Sequence, residues 1–228
     1  MEKVDMASGW LPLVQQFDWW GTFKVALASS VVSLIVTIGW NSHRDRRDHR
    51  RERRDAALEV ALSLERYART CRAMMHRAEW ASAEAIRTGS GQPTVGVHVP
   101  EFSFPTVEWK WLSHKITSVL RDFPATVHYA REYVSSTWEY VLPPDVCDDV
   151  ELECARLAKQ ALDLARLTRQ RHGVARWRPA NADAGLERQL DESIAEGEAR
   201  RKKMLEEGAV ALSSELTPLA GDAPRGSV

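Results

Sequence analysis

Residues 25–40 read VALASSVVSLIVTIGW and carry no charge; extended back through Trp19, Trp20 and Phe23 they form a stretch of 22 residues interrupted only by Lys24. At 1.5 Å per residue, a helix from Trp20 to Trp40 spans about 30 Å, the thickness of a bilayer's hydrocarbon core. Trp19, Trp20 and Trp40 stand where the two interfaces would fall, and Lys24 lies near enough to one end for its stem to carry the ammonium outward. The reading is a single transmembrane helix over 19–40. Two alternatives stand beside it. A cleavable signal peptide needs basic residues before the apolar run, whereas here the arginines follow it. A buried core helix is the other, because Ser29, Ser30, Ser33 and Thr37 make the stretch only moderately apolar.

The flanks give a direction. Residues 1–18 hold one lysine and three acids, while 41–55 hold seven arginines against four acids. Basic flanks stay inside, so the expectation is an inner (cytoplasmic) membrane protein, N-terminus outside, with the bulk of the chain in the cytoplasm. Arg44, Arg46 and Arg47 are the first basic residues past the apolar run and the candidates for contact with lipid headgroups, together with Trp19, Trp20, Lys24 and Trp40. The interspersed acids allow a second reading, a self-neutralised solvated helix with Arg44/Asp48, Asp48/Arg51 and Arg51/Asp55 three or four apart. Ser29, Ser33 and Thr37 recur every four residues and form a small-residue stripe on which a second copy could pack. The same hydroxyls can instead return to their own i−4 carbonyls and face lipid.

Beyond the anchor the periodicity is helical throughout. Ala57, Ala61, Leu64, Ala68, Cys71, Met75, Ala78, Ser82 and Ala85 alternate steps of three and four, one long amphipathic helix ending near Arg87. Residues 88–107 contain three glycines and three prolines and read as a loop, its Val97, Val99, Phe102 and Phe104 either pinning it across the helices or lining a partner groove. A helix over 107–123 should end before Pro124, with Asp122 capping the next one, whose stripe is Val127, Ala130, Val134, Trp138 and Val141. The following helix begins among Asp145, Asp148, Asp149, Glu151 and Glu153 and ends in Arg166, Arg169, Arg171 and His172 before Gly173, with charges that complement its dipole. From 174 the apolar rhythm thins, and a solvated helix over about 183–216 with a basic cluster at 200–203 is expected, then a disordered end. The fold class is all-α: an N-terminal transmembrane helix continuing into a long amphipathic helix that packs with about three more. The divisions fall at 1–18, 19–40, 41–55, 56–173 and 174–228.

Composition sets limits. With 31 basic and 32 acidic residues the formal charge is −1, so no global field draws a polyanion. The arginine run lies close to the membrane and carries acids, which argues against nucleic acid. Cys71, Cys147 and Cys154 are odd in number and show no metal-knuckle spacing; they read as packed thiols, with Cys147 and Cys154 on one helical face. No phosphate-binding, dinucleotide, zinc-protease or nucleophile-elbow motif occurs, and no two histidines lie three or four apart. The run DVCDDVELE lacks the glycine and terminal glutamate of a calcium loop. Trp109, Trp111, His114 and His128 are the residues that could line a cleft. No catalytic, cofactor or metal residue is assigned.

The runs FDWWGT at 17–22, WNSHRDRRDHRRERR at 40–54, LERYARTCR at 64–72 and the FPTVEW…DFP…C…ELECARLAKQALDLARLTRQRHG pattern resemble a group of uncharacterised bacterial membrane proteins over residues 17–175. The resemblance implies that anchor and helical domain are one unit and brings no activity with it. The expected function is a membrane-tethered, self-associating interaction, scaffold or sensor module whose partners are the bilayer, a second copy and an unidentified protein. A membrane-acting stress or defence effector, in which the helical domain controls oligomerisation of the anchor, is the alternative, and an enzyme with a motif-free site is a second one.

Overall fold

A computed structural model describes the backbone of residues 19–89 and 96–216 and the side chains of 36–89 and 96–210. Four α-helices carry the described chain: α1, Trp19–Thr88; α2, His114–Thr137; α3, Pro143–His172; and α4, Leu186–Leu216. Strands are absent among the described residues, and the domain is the all-α bundle that the periodicity predicts. Among the described residues no helix is long and apolar enough to cross a membrane. The span expected over 19–40 lies for the most part on side chains outside them, and the N-terminal segment 1–18 lies outside them entirely. The chain divides into two compact units, Met1–Arg51 and Glu52–Val228.

In the second unit, the α1 stripe is buried at Ala57, Ala61, Leu64, Ala68, Cys71, Met75, Ala78 and Ala85, with Ser82 half-buried. Small residues at most of these positions leave room for the larger side chains of the neighbouring elements. The helix closes with Thr88 Oγ1 donating to the Glu84 carbonyl and with Gly89 at φ +60°, a left-handed position that glycine takes without strain. After the loop, Val97 and Val99 are buried, and the Tyr67 hydroxyl donates to the Pro100 carbonyl at 3.1 Å. Phe102 meets Tyr67, Phe104 and Phe123 edge-to-face at 4.7–5.0 Å between ring centres. The alternating apolar residues thus pin this segment to the helices.

The expected helix break at Pro124 does not occur. Trp109–Trp111 form one 3-10 turn, and α2 then runs unbroken through Pro124, so Asp122 caps nothing. The reason is register: Ile116, Leu120, Phe123, Val127, Ala130 and Val134 form one buried stripe that continues across the proline in steps of four and three. An internal proline costs about 3 kcal/mol. A break would turn Val127 and Val134 away from the core, at about 1.5–3 kcal/mol each, so continuity wins.

α3 starts at Pro143, two residues before the expected acids, because prolines fit the first turn, where no N–H partner is needed. It ends as expected at Gly173, whose φ of +63° is left-handed. Helix α4 has nearly the expected extent and is exposed from Glu198 to Val210 apart from half-buried Arg201, but its first half is packed rather than solvated. Leu186 and Leu190 are fully buried, and α4 packs along α3. Gly197 permits that approach: a Cβ there would stand 2.9 Å from Leu152 Cδ1. Charged residues between the buried positions hid this stripe in the sequence. All three cysteines are free and buried. The neighbouring Cys71 thiol of α1, followed by burial, holds the Cys154 thiol well above the ordinary range; burial and Asp148 push Cys147 up to about 11.

Candidate functional site

Past Gly173 the chain turns back over α1 as a strap ending at the Asn181–Asp183 turn. Two arginines one helical turn apart hold it. Arg69 Nε donates to Asp183 Oδ2 at 3.0 Å, Arg72 Nη2 to Asp183 Oδ1 at 2.9 Å, and Arg72 Nη1 to the Ala182 carbonyl at 2.9 Å. The Arg69 guanidinium also lies over the Trp177 ring, 5.9 Å from its centre. The strap thereby forms one wall of a cleft of 390 Å³, with Val174, Trp177 and Pro179 facing Leu162 of α3.

Beneath lies a buried ion pair. Arg169 Nε donates to Glu65 Oε1 at 2.7 Å and Nη2 to Oε2 at 3.1 Å, while Nη1 donates to the Ala175 carbonyl at 2.9 Å. The two side chains are 8% and 1% exposed, so the pair is a two-pronged, charge-assisted contact away from water. Arg166, also on the cleft, is shared between Asp163 at 2.9 Å and Glu187 at 2.6 Å. Arg176 is exposed and has no partner among the described residues. The lining thus counts three arginines, Arg166, Arg169 and Arg176, against two glutamates, Glu65 and Glu187.

The sequence-chosen aromatic and histidine residues do not assemble. Trp109 and His114 border an open groove with Lys110 and Arg121, whereas His128 lines a separate hollow with His98 and Arg131. A third histidine has a defined structural role: buried His172 bonds through Nδ1 to the Thr168 carbonyl, and its Nε2 accepts from the Ser113 N–H at 3.1 Å, joining the end of α3 to the start of α2. Among the described residues no three histidine, cysteine or acidic side chains are placed to hold a metal ion. The acids at the start of α3 face arginines of α4 instead: Arg200 reaches Glu151 at 3.4 Å and Asp148 at 3.6 Å, and Arg201 reaches Asp149 at 3.5 Å and Glu153 at 3.7 Å. Burial nevertheless raises Asp148 and Glu151 above the usual carboxylate range, partly offset by Arg200. Tyr67, beside Cys71, is also raised, chiefly by burial.

Of the interface residues, Trp19, Trp20 and Lys24 lie on α1 with side chains outside the described residues, as do Ser29 and Ser33 of the small-residue stripe. Thr37, Trp40, Arg44, Arg46 and Arg47 are exposed, and Asp48 lies 4.0 Å from both Arg44 and Arg51. The cleft escaped the sequence reading because Glu65 and Arg169 are 104 residues apart and neither stands out locally. Trp177 was the available signal, a large aromatic in a segment that otherwise reads as tail. The chain matches no family model, no curated protein and no solved structure.

Proposed function

We propose that this chain is a membrane-tethered interaction or sensor module: a span over 19–40 anchors it, and the helical bundle is held at the cytoplasmic face of the inner membrane. One observation carries the reading. Val36, Ile38 and Trp40 are 62%, 59% and 72% exposed, and an all-exposed, arginine-rich segment follows them to residue 55. Uncovered apolar side chains at alternate positions that give way to arginines suit a helix passing from hydrocarbon through the headgroups into water. Arg44, Arg46 and Arg47 then meet anionic lipid, and Trp40 sits at the interface. The stripe of Ser29, Ser33 and Thr37 is the surface on which two copies pair, and the bundle presents the module to its protein partner.

Membrane fractionation with alkaline extraction tests the anchor: the intact chain stays with the membrane, and its release into the soluble fraction overturns the reading. A C-terminal reporter active only on the outer side would reverse the direction. For pairing, Ser33→Leu should reduce crosslinking within the membrane, and unchanged crosslinking counts against it.

A further inference from the structure

We propose that the cleft under the strap binds a small anion with a planar aromatic body. The anion site is Arg169. A guanidinium has five N–H donors, and three of these are used by Glu65 Oε1, Glu65 Oε2 and the Ala175 carbonyl. One N–H on each terminal nitrogen remains, on a side chain more than nine-tenths buried and already fixed in place. Two terminal guanidinium nitrogens suit the paired oxygens of a carboxylate or a phosphate. Because Glu65 holds the guanidinium beforehand, a ligand meets an ordered donor rather than a mobile one.

One cation of the lining keeps its freedom to move. Glu65 pairs with Arg169, and Glu187 and Asp163 both pair with Arg166, so the three acids match the three arginines in number, and Arg176 at the rim is the arginine of the lining that meets none of them among the described residues. Its exposed side chain, without a partner among the described residues, can fold onto a ligand's negative group.

Size and walls define the rest of the ligand. Small-molecule sites run from about 300 to 1,000 Å³, and a cleft of 390 Å³ lies at the lower end. A water molecule takes about 30 Å³ of liquid volume, so a bare inorganic ion would leave most of this space filled with water. Trp177, Leu162, Val174 and Pro179 give an aromatic plane and apolar sides that suit a flat ring. Arg69 lies over the Trp177 ring and anchors the strap through Asp183, so the platform is positioned before the ligand arrives.

This inference gives the sensor reading its ligand yet does not depend on the anchor: release in alkali would sink the anchor and leave the binding result standing. The test is calorimetric titration of the full chain in mild detergent with indole-3-acetate, an aromatic carboxylate, and adenosine monophosphate, an aromatic phosphate. Indole and inorganic phosphate serve as the two half-ligands. The expected result is saturable binding of at least one aromatic anion, with each half-ligand weaker by about tenfold or more. Arg176→Ala and Trp177→Leu should each weaken that binding by about tenfold while the melting temperature of Arg176→Ala stays at the parent value. The parent chain's preference between the two aromatic anions assigns the site to carboxylates or phosphates. Absence of saturation by both overturns the proposal, as does binding that the two variants leave unchanged. Inorganic phosphate binding as tightly as either aromatic anion would overturn the aromatic body.

Discussion

Helix α3 is held on its two sides by opposite means. Towards α1 an ion pair, Glu65 with Arg169, is sealed from water beside a largely apolar layer. Towards α4 a series of exposed to half-buried pairs runs along the helix: Arg166 with Glu187, Lys159 with Asp191, Arg156 with Glu198, and Arg200 and Arg201 with the acids of the first turns. The buried pair is sensitive to either partner's loss, because what remains is a charge that water cannot reach. The exposed series spreads its effect over many screened contacts, each weak and replaceable. Identical chemistry therefore fixes one interface and merely biases the other.

The largest effect should come from breaking the sealed pair on one side. Glu65→Ala leaves Arg169 buried without its counter-charge and is expected to lower stability by about 3–5 kcal/mol, read from thermal or urea unfolding of the full chain. Replacing both partners, Glu65→Leu with Arg169→Met, should recover most of that loss, since well-packed apolar side chains match a buried pair. A double variant as unstable as the single one would break the comparison. Next in size is Gly197→Ala. The new Cβ would sit 2.9 Å from Leu152 Cδ1 and 3.2 Å from Leu152 Cβ, and the second contact cannot be relieved by a rotamer change at the tip. Overpacking costs about 1–3 kcal/mol, against about 1 kcal/mol gained in helix propensity. The net should be destabilising, whereas Gly208→Ala, with nothing within 4 Å, should raise helicity on circular dichroism. A stabilising Gly197→Ala would mean that α4 does not need its close approach.

These interfaces were unequally legible in the sequence. The α1 stripe and the Gly173 end of α3 rest on local rules, spacing and a left-handed cap, and both are found where the residues place them. Pro124 misled because a local rule, that proline ends a helix, was outweighed by a stripe whose register only the packed core rewards. Leu186, Leu190 and Gly197 were obscured by the charges around them, which are exposed to water and at the same time reach across to α3. The acids opening α3 were legible as dipole partners; their arginine partners, about 50 residues on, were not. Nothing local in Glu65, Arg169 or Asp183 announces partners 104 to 114 residues away, and the cleft is built from those three contacts.

A smaller effect is expected at the exposed series. Arg201→Ala removes contacts to Asp149 and Glu153 and a position over the Tyr133 ring, 5.0 Å from its centre. Its side chain is 35% exposed, so after screening the loss should stay within about 1 kcal/mol. Raising the salt concentration should shrink it further, because the Debye length falls from about 10 Å at 0.1 M to about 3 Å at 1 M. A loss that salt leaves untouched would place Arg201 with the sealed pair rather than with the ladder.

The smallest effect has the least intuitive sign. Asp148 and Glu151 are raised by burial, aided by neighbouring acids, and Arg200 offsets this only in part. A carboxyl whose folded value lies above its unfolded one contributes stability that is fully present below the unfolded value and is lost as pH rises through the folded value. At neutral pH both groups therefore oppose folding slightly, despite standing in salt bridges. Asp148→Asn should be at least as stable as the parent at pH 7, by about 1–2 °C in melting temperature, since Asp148 and Arg200 are each 43% exposed and well screened. That advantage should vanish as pH falls into the carboxylate range, where the parent's Asp148 is itself protonated. Arg200→Ala should act in the opposite direction at pH 7 by removing the cation that offsets the burial of both acids. If Asp148→Asn instead loses stability at pH 7 and recovers at low pH, the α4 arginines overcome the burial of their acids. The ladder would then hold α3 by attraction in the same sense as the sealed pair.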